Sequence, residues 1–280
     1  MTTLVTGATG RVGSRLVPRL LRQGEEIRVL ARDDGRAALL REAGARVVIG
    51  DLRDGDARSR AVDGVGAVVH LGASFRGVAD EEAVSVNQAA TIELARAAVK
   101  AGVGRFVFAS TNLVYGPGVG RPAVEADEPA PTGAYPASKA AAERALRELH
   151  DAHGLGLRVV RLAFVYGEGD PHLAESLLWA RNWPAHKRLH LVHHADVGQA
   201  MLRALRAGGV DGATFNAADD APVTALELLR LNGEPVPADA ASRPLDNPWE
   251  GIVDTTSIRR VLGFRPIYPS VYTAEDAGAL

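Results

Sequence analysis

The chain has 280 residues, 46% of them hydrophobic and 24% charged, and a formal net charge of −2 at neutral pH. That length and apolar content suffice for the core of one large α/β domain, or one and a half, and exclude a disordered chain. The balance of charge argues against a nucleic-acid partner, no apolar run is long enough to span a bilayer, no signal peptide is visible, and the absence of cysteine removes disulfides, thiolate metal sites and a cysteine nucleophile, so a reducing cytoplasm is the expected setting.

In chain order, short apolar strands are predicted at Leu4–Thr6, Ile27–Ala31, Arg46–Ile49, Ala67–Leu71, Arg105–Ser110 and Leu157–Leu162. Helical spacing is found between them at Gly13–Gln23, Gly35–Ala43, Glu82–Ala101 and Tyr135–His153, broken by Gly24, Gly44, Gly102-Val103-Gly104 and Gly154. Strand and helix in alternation predict a doubly wound parallel Rossmann sheet, with ligands beyond the carboxyl ends of the strands. The regularity weakens after Tyr166, where glycines and prolines interrupt it before a strand-helix pair at Leu189–Arg206 and a proline-rich tail. The expected division is a dinucleotide-binding domain of residues 1–166 and 190–217, with a small substrate-side lobe of residues 167–189 and 218–280.

The most specific local feature is Thr6-Gly7-Ala8-Thr9-Gly10-Arg11-Val12-Gly13, directly after the first strand and opening the first helix. Gly7 suits a tight turn, Gly10 a close backbone approach to a pyrophosphate, and Gly13 close contact of helix and sheet, with the positive helix end facing the phosphates. The spacing is G-x-x-G-x-x-G, one residue longer than the commonest dinucleotide fingerprint, and taken alone it also fits an ordinary glycine-rich loop.

Tyr135 and Lys139 stand four residues apart, hence on one helical face. A free phenol titrates near 10, and a fall of roughly three units, worth about 4 kcal/mol, would make phenolate abundant at neutral pH. Lys139, the helix N-terminus and an oxidised nicotinamide would each act in that direction. Only Lys100, Lys139 and Lys187 are lysine among 32 basic residues, so a lysine at this position carries information. On its own a Y-x-x-x-K pair also suits a surface helix; its place after the strand ending in Ser110-Thr111-Asn112 favours a catalytic reading. Pro136 disfavours helical geometry at Tyr135 and so places the tyrosine at the helix start.

Together with Asp51-Leu52, HLGA at His70, Val86-Asn87, FASTNLVYG at Phe108, RLAFVYGEGD at Arg161 and DTTSIRRVLGFRP at Asp254, these motifs make the chain resemble the extended short-chain dehydrogenase/reductase family, also called the NAD-dependent epimerase/dehydratase family. The match covers roughly the first 215 residues well and the last 65 loosely. By this resemblance Tyr135 is the acid/base, Lys139 binds the nicotinamide ribose and tunes Tyr135, Thr111 hydrogen-bonds the substrate oxygen, and Asn87 supports the active-site helix. Asp51 and Leu52 should flank the adenine, and Leu71, Gly72 and Ala73 should lie along the cofactor. Ser74, Asn112, Phe164 and Trp179 are the expected substrate neighbours, with Trp183 beside Trp179. The resemblance also implies a homodimer through the helices at Glu82 and Tyr135.

The usual acidic residue at the end of the second strand is replaced by Ala31, followed by Arg32, with Arg11 and Arg36 nearby. This favours NADP(H), because guanidinium groups hold a 2′-phosphate; if Asp33 or Asp34 turned inward, NAD(H) would be favoured instead. Family members that dehydrate sugars carry an acidic pair where this chain has Asn112 and Leu113, and nucleotide-sugar enzymes usually carry an asparagine where it has Phe164 and an R-D segment that it lacks. These departures disfavour sugar dehydration and a polar nucleotide-sugar pocket. The YGEGD stretch resembles the hydroxysteroid and dihydroflavonol branch, and the Ser-Thr-Asn tip resembles sugar-acid dehydrogenases.

His186, His190, His193 and His194 invite a metal reading, but Leu189, Leu191 and Val192 make the segment strand-like, and no metal is expected. The leading expectation is a soluble oxidoreductase moving a hydride between nicotinamide and a secondary alcohol or ketone carbon of a small molecule. The alternatives are a nucleotide-sugar epimerase with tightly bound NAD, and a catalytically silent NAD(P)-sensing binder.

Overall fold

In the computed structural model, residues 1–75 and 79–280 are described. The apolar strand β1 (Thr2–Thr6) runs through the glycine turn into α1 (Gly13–Arg22), followed by β2 (Glu26–Ala31), α2 (Asp34–Glu42), β3 (Arg46–Ile49), α3 (Gly55–Val62) and β4 (Ala67–His70). Next come α4 (Asp80–Ala83), a π-helical stretch at Val84–Ala90, α5 (Thr91–Lys100), β5 (Arg105–Thr111), a 3₁₀ turn at Asn112–Tyr115, the long α6 (Ala134–His153) and β6 (Leu157–Leu162). The strands pair in the order β3-β2-β1-β4-β5-β6-β10, where β10 is Ala213–Ala217, and every pairing is parallel. The order reverses between β1 and β4, so a crevice opens beyond their carboxyl ends, where the glycine turn lies.

Burial explains why these segments form strands. Leu4, Val5, Val68, Val69, Phe106, Val107 and Phe108 are fully enclosed, as both faces of a parallel sheet must be. One core layer joins the sheet to Leu16, Val17 and Leu20 of α1 and to Val197, Met201 and Leu205 further on; the other joins it to Ala57, Leu94, Ala142 and Leu146. Each fully buried leucine contributes about 1.5–3 kcal/mol.

Two regular elements carry little sequence signal. The segment of α3, GDARSRAV, is largely polar and buries only Ala57, Ala61 and Val62, and β10, ATFNA, is short and interrupted by polar residues. The helix predicted over Glu82–Ala101 begins at Asp80 and widens to π geometry over Val84–Ala90, which a periodicity of 3.6 cannot reveal. That widened stretch contains Asn87, whose fully buried amide has partners outside its own helix, a setting in which such bulges recur.

After β6 follow β7 (Phe164–Tyr166), α7 (His172–Glu175), α8 (Leu177–Ala180), β8 (Arg188–Leu189), β9 (Leu191–His193) and α9 (His194–Arg206), then β10, β11 (Val223–Thr224), α10 (Ala225–Leu231), α11 (Thr256–Leu262) and α12 (Val271–Asp276). β7 pairs with β9 in parallel and β8 with β11 in antiparallel fashion. A third, smaller core gathers Tyr166, Leu173, Leu177, Leu191, Val223, Leu228 and Val271. Among the described residues no helix is long and apolar enough to cross a membrane.

Candidate active site

A cavity of about 940 Å³ occupies the crevice at the β1/β4 reversal. At one end lie Gly7, Thr9, Gly10, Arg11, Val12 and Gly13. Gly7 has φ +69°, and a Cβ there would stand 2.6 Å from the Gly72 nitrogen; a Cβ on Gly13 would stand 2.2 Å from the Gly7 oxygen. Gly10 is the open member, since a Cβ would meet only the Gly7 oxygen at 3.2 Å. No side chain caps the N-terminus of α1; the Ser14 and Arg15 N–H groups donate to the Gly10 and Val12 carbonyls at 2.9 and 3.2 Å, and the positive end of the helix faces the turn. The Ser110 hydroxyl, buried in the same lining, has no hydrogen-bond partner among the described residues. A pyrophosphate-bearing dinucleotide fits these features.

Arg32, Asp51 and Leu52, expected to flank an adenosine, line the cavity, and Leu71, Gly72, Ala73 and Ser74 continue the wall toward Tyr135. Asp51 accepts from Arg53 through its guanidinium at 2.9 Å and its backbone at 2.8 Å, and the Arg53 fork holds its carboxyl down at about 2. Asp33 caps α2 by accepting from the Arg36 backbone, Asp34 pairs with Arg41, and neither carboxylate is among the residues lining the cavity. Arg11 is drawn elsewhere too: its guanidinium forks onto Glu175 at 2.7 and 3.0 Å and approaches Asp170 at 3.4 Å. Arg36 donates to the Thr9 carbonyl at 3.0 Å. Of the arginines expected at a 2′-phosphate, Arg32 is the one that these contacts leave uncommitted.

The end that holds the expected catalytic residues is built by β5 and α6. Thr111, at the tip of β5, is nearly buried, and its Oγ1 accepts from the Leu113 backbone at 3.2 Å, leaving the O–H as a donor. Gly133, with φ +90°, turns the chain into α6, whose second and third residues are Tyr135 and Pro136. Proline is tolerated there because first-turn N–H groups have no intrahelical partner. Tyr135 lines the cavity with its ring against Phe75, centroids 4.5 Å apart. One turn later Lys139 is 2% exposed, its Nζ 4.3 Å from the Phe108 ring centroid. Burial pushes the Lys139 ammonium down to about 7, while the Glu143 carboxylate acts to raise it.

Asn87 does not line this cavity but braces it. Its amide accepts from the Ser74 nitrogen at 2.7 Å and donates to the Ser74 carbonyl at 2.9 Å and to the Ser138 hydroxyl at 3.1 Å, which itself donates to the Tyr135 carbonyl at 2.7 Å. The cavity wall at Ser74 is thereby tied to the helix that carries Tyr135 and Lys139. Beneath it, His70 bridges the Thr6 and Thr91 hydroxyls at 2.5 and 2.7 Å and stacks on Phe108, and burial, with Lys139 next, holds its pKa at about 3.

Asn112 and Phe164 line the substrate end; Trp179 does not, and Trp183 occupies that wall. Trp179 lies within α8, which ends at Ala180, and of the two only Trp183, beyond that helix, is among the residues lining the cavity. Asn112 donates to the Gly251 carbonyl at 2.8 Å and Leu113 is 45% exposed, so neither supplies the acid of a sugar dehydratase. Sequence reasoning passed over Phe75, His172 and Glu175. Phe75 and Phe164 both contact the His172 ring, whose Nδ1 pairs with the Val165 carbonyl at 2.9 Å, and no motif spacing marks that cluster. The other histidines serve the framework. The Val253 and Ala195 backbones donate to Nδ1 of His190 and His193, so their Nε2–H groups donate to the carbonyls of Asp219 and Ala279. His194 pairs with Asp170 at 2.8 Å, and His186 is exposed. Among the described residues no group of three or more such side chains could hold a metal ion.

Comparison with known proteins agrees with this architecture. The family model described as the NAD-dependent epimerase/dehydratase family matches residues 3–218. A dTDP-glucose 4,6-dehydratase of Streptomyces griseus is 33% identical over 94% of this chain and 88% of its own. A 4-hydroxy-2-methyl-3-oxo-4-farnesyl-3,4-dihydroquinoline-1-oxide ketoreductase of Stigmatella aurantiaca is 30% identical over 82% of this chain and 72% of its own. A solved short-chain dehydrogenase/reductase superfamily protein of Agrobacterium tumefaciens with bound NAD superposes with a TM-score of 0.81 at 28% identity, covering 99% of this chain and 96% of that one. The chain belongs to the NAD-dependent epimerase/dehydratase family and is an enzyme of the extended short-chain dehydrogenase/reductase type.

Proposed function

We propose that the protein transfers a hydride between a nicotinamide cofactor and a secondary alcohol or ketone carbon of a small molecule, with Tyr135 moving the matching proton. The observation that carries this reading is one cavity lined at once by Gly7, Gly10 and Gly13, by the hydroxyl of Thr111, and by Tyr135 and Lys139. When bound, the cofactor supplies the hydride acceptor or donor. Thr111 donates to the substrate oxygen and fixes its position. Tyr135 holds the proton at its phenol oxygen, giving it up when the substrate oxygen is a carbonyl and accepting it when that oxygen is a hydroxyl. Lys139, buried on the next turn, binds the nicotinamide ribose and favours phenolate while it is protonated. Asn87 keeps α6 and the Ser74 wall in register.

For the adenosine end the reading is NADP(H) in preference to NAD(H). It is supported by Ala31 at the tip of β2, by the engagement of Asp33 with the Arg36 backbone and of Asp34 with Arg41, and by Arg32 in the lining. A substrate smaller or less polar than a nucleotide sugar is supported by Phe164, Trp183 and Leu189 in the wall. The second reading, a nucleotide-sugar epimerase, draws on the epimerases named in the family itself. It predicts retained NAD and no net change in nicotinamide absorbance on turnover. The deciding experiment is Tyr135→Phe, tested with a panel of alcohols and ketones at the nicotinamide absorbance. Loss of the general acid should lower turnover at least about a hundredfold with cofactor affinity kept; near-normal turnover removes Tyr135 from the mechanism.

A further inference from the structure

The substrate end of the cavity holds an arrangement of charge that hydride transfer does not require. Lys187 and Arg188, side by side where β8 begins, both line the cavity, and each cation lies by an indole: Lys187 Nζ is 5.2 Å from the Trp183 ring centroid and the Arg188 guanidinium 4.5 Å from that of Trp249. Arg188 also donates to the Pro248 carbonyl at 2.9 Å, so its fork is fixed to the rim. Lys187 Nζ donates to Glu250 at 2.7 Å, with side-chain exposures of 22% and 47%. The loop bearing Glu250 is held beside the catalytic strand, because Asn112, next to Thr111, donates to the Gly251 carbonyl.

An ion pair this open to solvent contributes little to stability and exchanges readily for another carboxylate. An ammonium has three donors, and Glu250 uses one of them. Two cations and one carboxylate leave a local excess of one positive charge, in a chain whose net charge is −2. The neighbouring wall of Phe164, Trp183 and Leu189 is apolar, so a molecule with one carboxylate on an otherwise weakly polar body fits beside Lys187.

We infer that the substrate carries a carboxylate bound by Lys187, in the same cavity as Tyr135, and that Glu250 keeps its place until substrate enters. The inference rests on the hydride-transfer reading for what happens to the substrate, but its test does not depend on turnover. Two of the chain's three tryptophans, Trp183 and Trp249, flank the site, so fluorescence reports binding there.

The protein loaded with NADP is titrated with malonate, with its neutral dimethyl ester and with UDP, alongside Lys187→Gln and Glu250→Gln variants whose melting confirms their fold. The expected result is saturable binding of malonate and none of the ester. Malonate binding weakens at least tenfold in Lys187→Gln and tightens in Glu250→Gln, where the lysine is released. No saturable malonate response, equal binding to Lys187→Gln, or weaker binding to Glu250→Gln overturns the proposal. Tighter, lysine-dependent binding of UDP overturns it as well and assigns the cations to a nucleotide diphosphate. Malonate binding is read without turnover, so failure of the hydride-transfer reading, seen in the alcohol and ketone panel, is distinguished from failure of this one.

Discussion

Glu143→Gln tests the electrostatics beneath the active site most directly. Glu143 lies on α6 one turn beyond Lys139, and its carboxylate takes the Arg161 guanidinium of β6 at 2.6, 3.1 and 3.2 Å, with exposures of 3% and 2%. Tyr115 covers the same guanidinium at 4.7 Å and donates its hydroxyl proton to Asn216 at 2.7 Å. The amide is nearly isosteric, so the variant removes charge without opening a cavity and leaves Arg161 buried without its counter-ion. Breaking one partner of such a pair costs about 3–5 kcal/mol. At roughly 2–4 °C per kcal/mol for a large domain, melting should fall on the order of 10 °C, and the urea midpoint should fall with an unchanged slope. The Lys139 pKa of about 7 already includes the raising effect of the Glu143 carboxylate, so loss of that charge moves Lys139 further down and shifts the alkaline decline in activity to lower pH. A variant within about 1 kcal/mol of the parent, with the same pH profile, would refute both the energetic and the tuning argument.

Gly13→Ala places a Cβ 2.2 Å from the Gly7 oxygen and 2.5 Å from the Ala8 Cα, so the turn must move; a cost of about 1–3 kcal/mol and loss of most cofactor affinity are expected in melting and NAD titration, and unchanged affinity would show that the turn is not the cradle. Arg32→Asp should weaken NADP(H) at least about tenfold and spare or improve NAD(H), measured as paired dissociation constants; parallel losses would place Arg32 outside the 2′-phosphate site. Burial holds His194 at about 4, below the usual 6.5, so the unfolded chain takes up its proton first as pH falls. The stability supplied by the neutral ring is therefore complete above about 6.5 and declines toward pH 4, by about 2 kcal/mol at pH 5. His194→Gln should show a correspondingly smaller loss between pH 7.5 and pH 5 in urea unfolding, and equal losses would refute the assignment.

The parallel sheet was legible because buried strands such as Ala67 to Val69 and Phe106 to Phe108 read as continuous apolar runs between helices of regular spacing. α3 was not, since a helix that buries only Ala57, Ala61 and Val62 leaves little periodic signal, and the π geometry over Val84–Ala90 leaves no mark in a spacing of 3.6 residues. The glycine turn and the Tyr135/Lys139 pair were legible for a different reason: their chemistry is fixed by separations of three and four residues.

Readable from the chain alone, then, were the main strands and helices of the first half in their order, the glycine turn, and the phenol and ammonium on one face of α6. Folding in three dimensions added what depends on distance in space between residues far apart in the chain. It gave Arg11 to Glu175, 164 positions away, tied Asn87 to Ser138, and set Glu250 against Lys187. It also turned Trp183 rather than Trp179 toward the cavity. The physical reason is that a charge or an amide takes whichever partner the folded backbone brings within about 3 Å, and no local pattern encodes that choice.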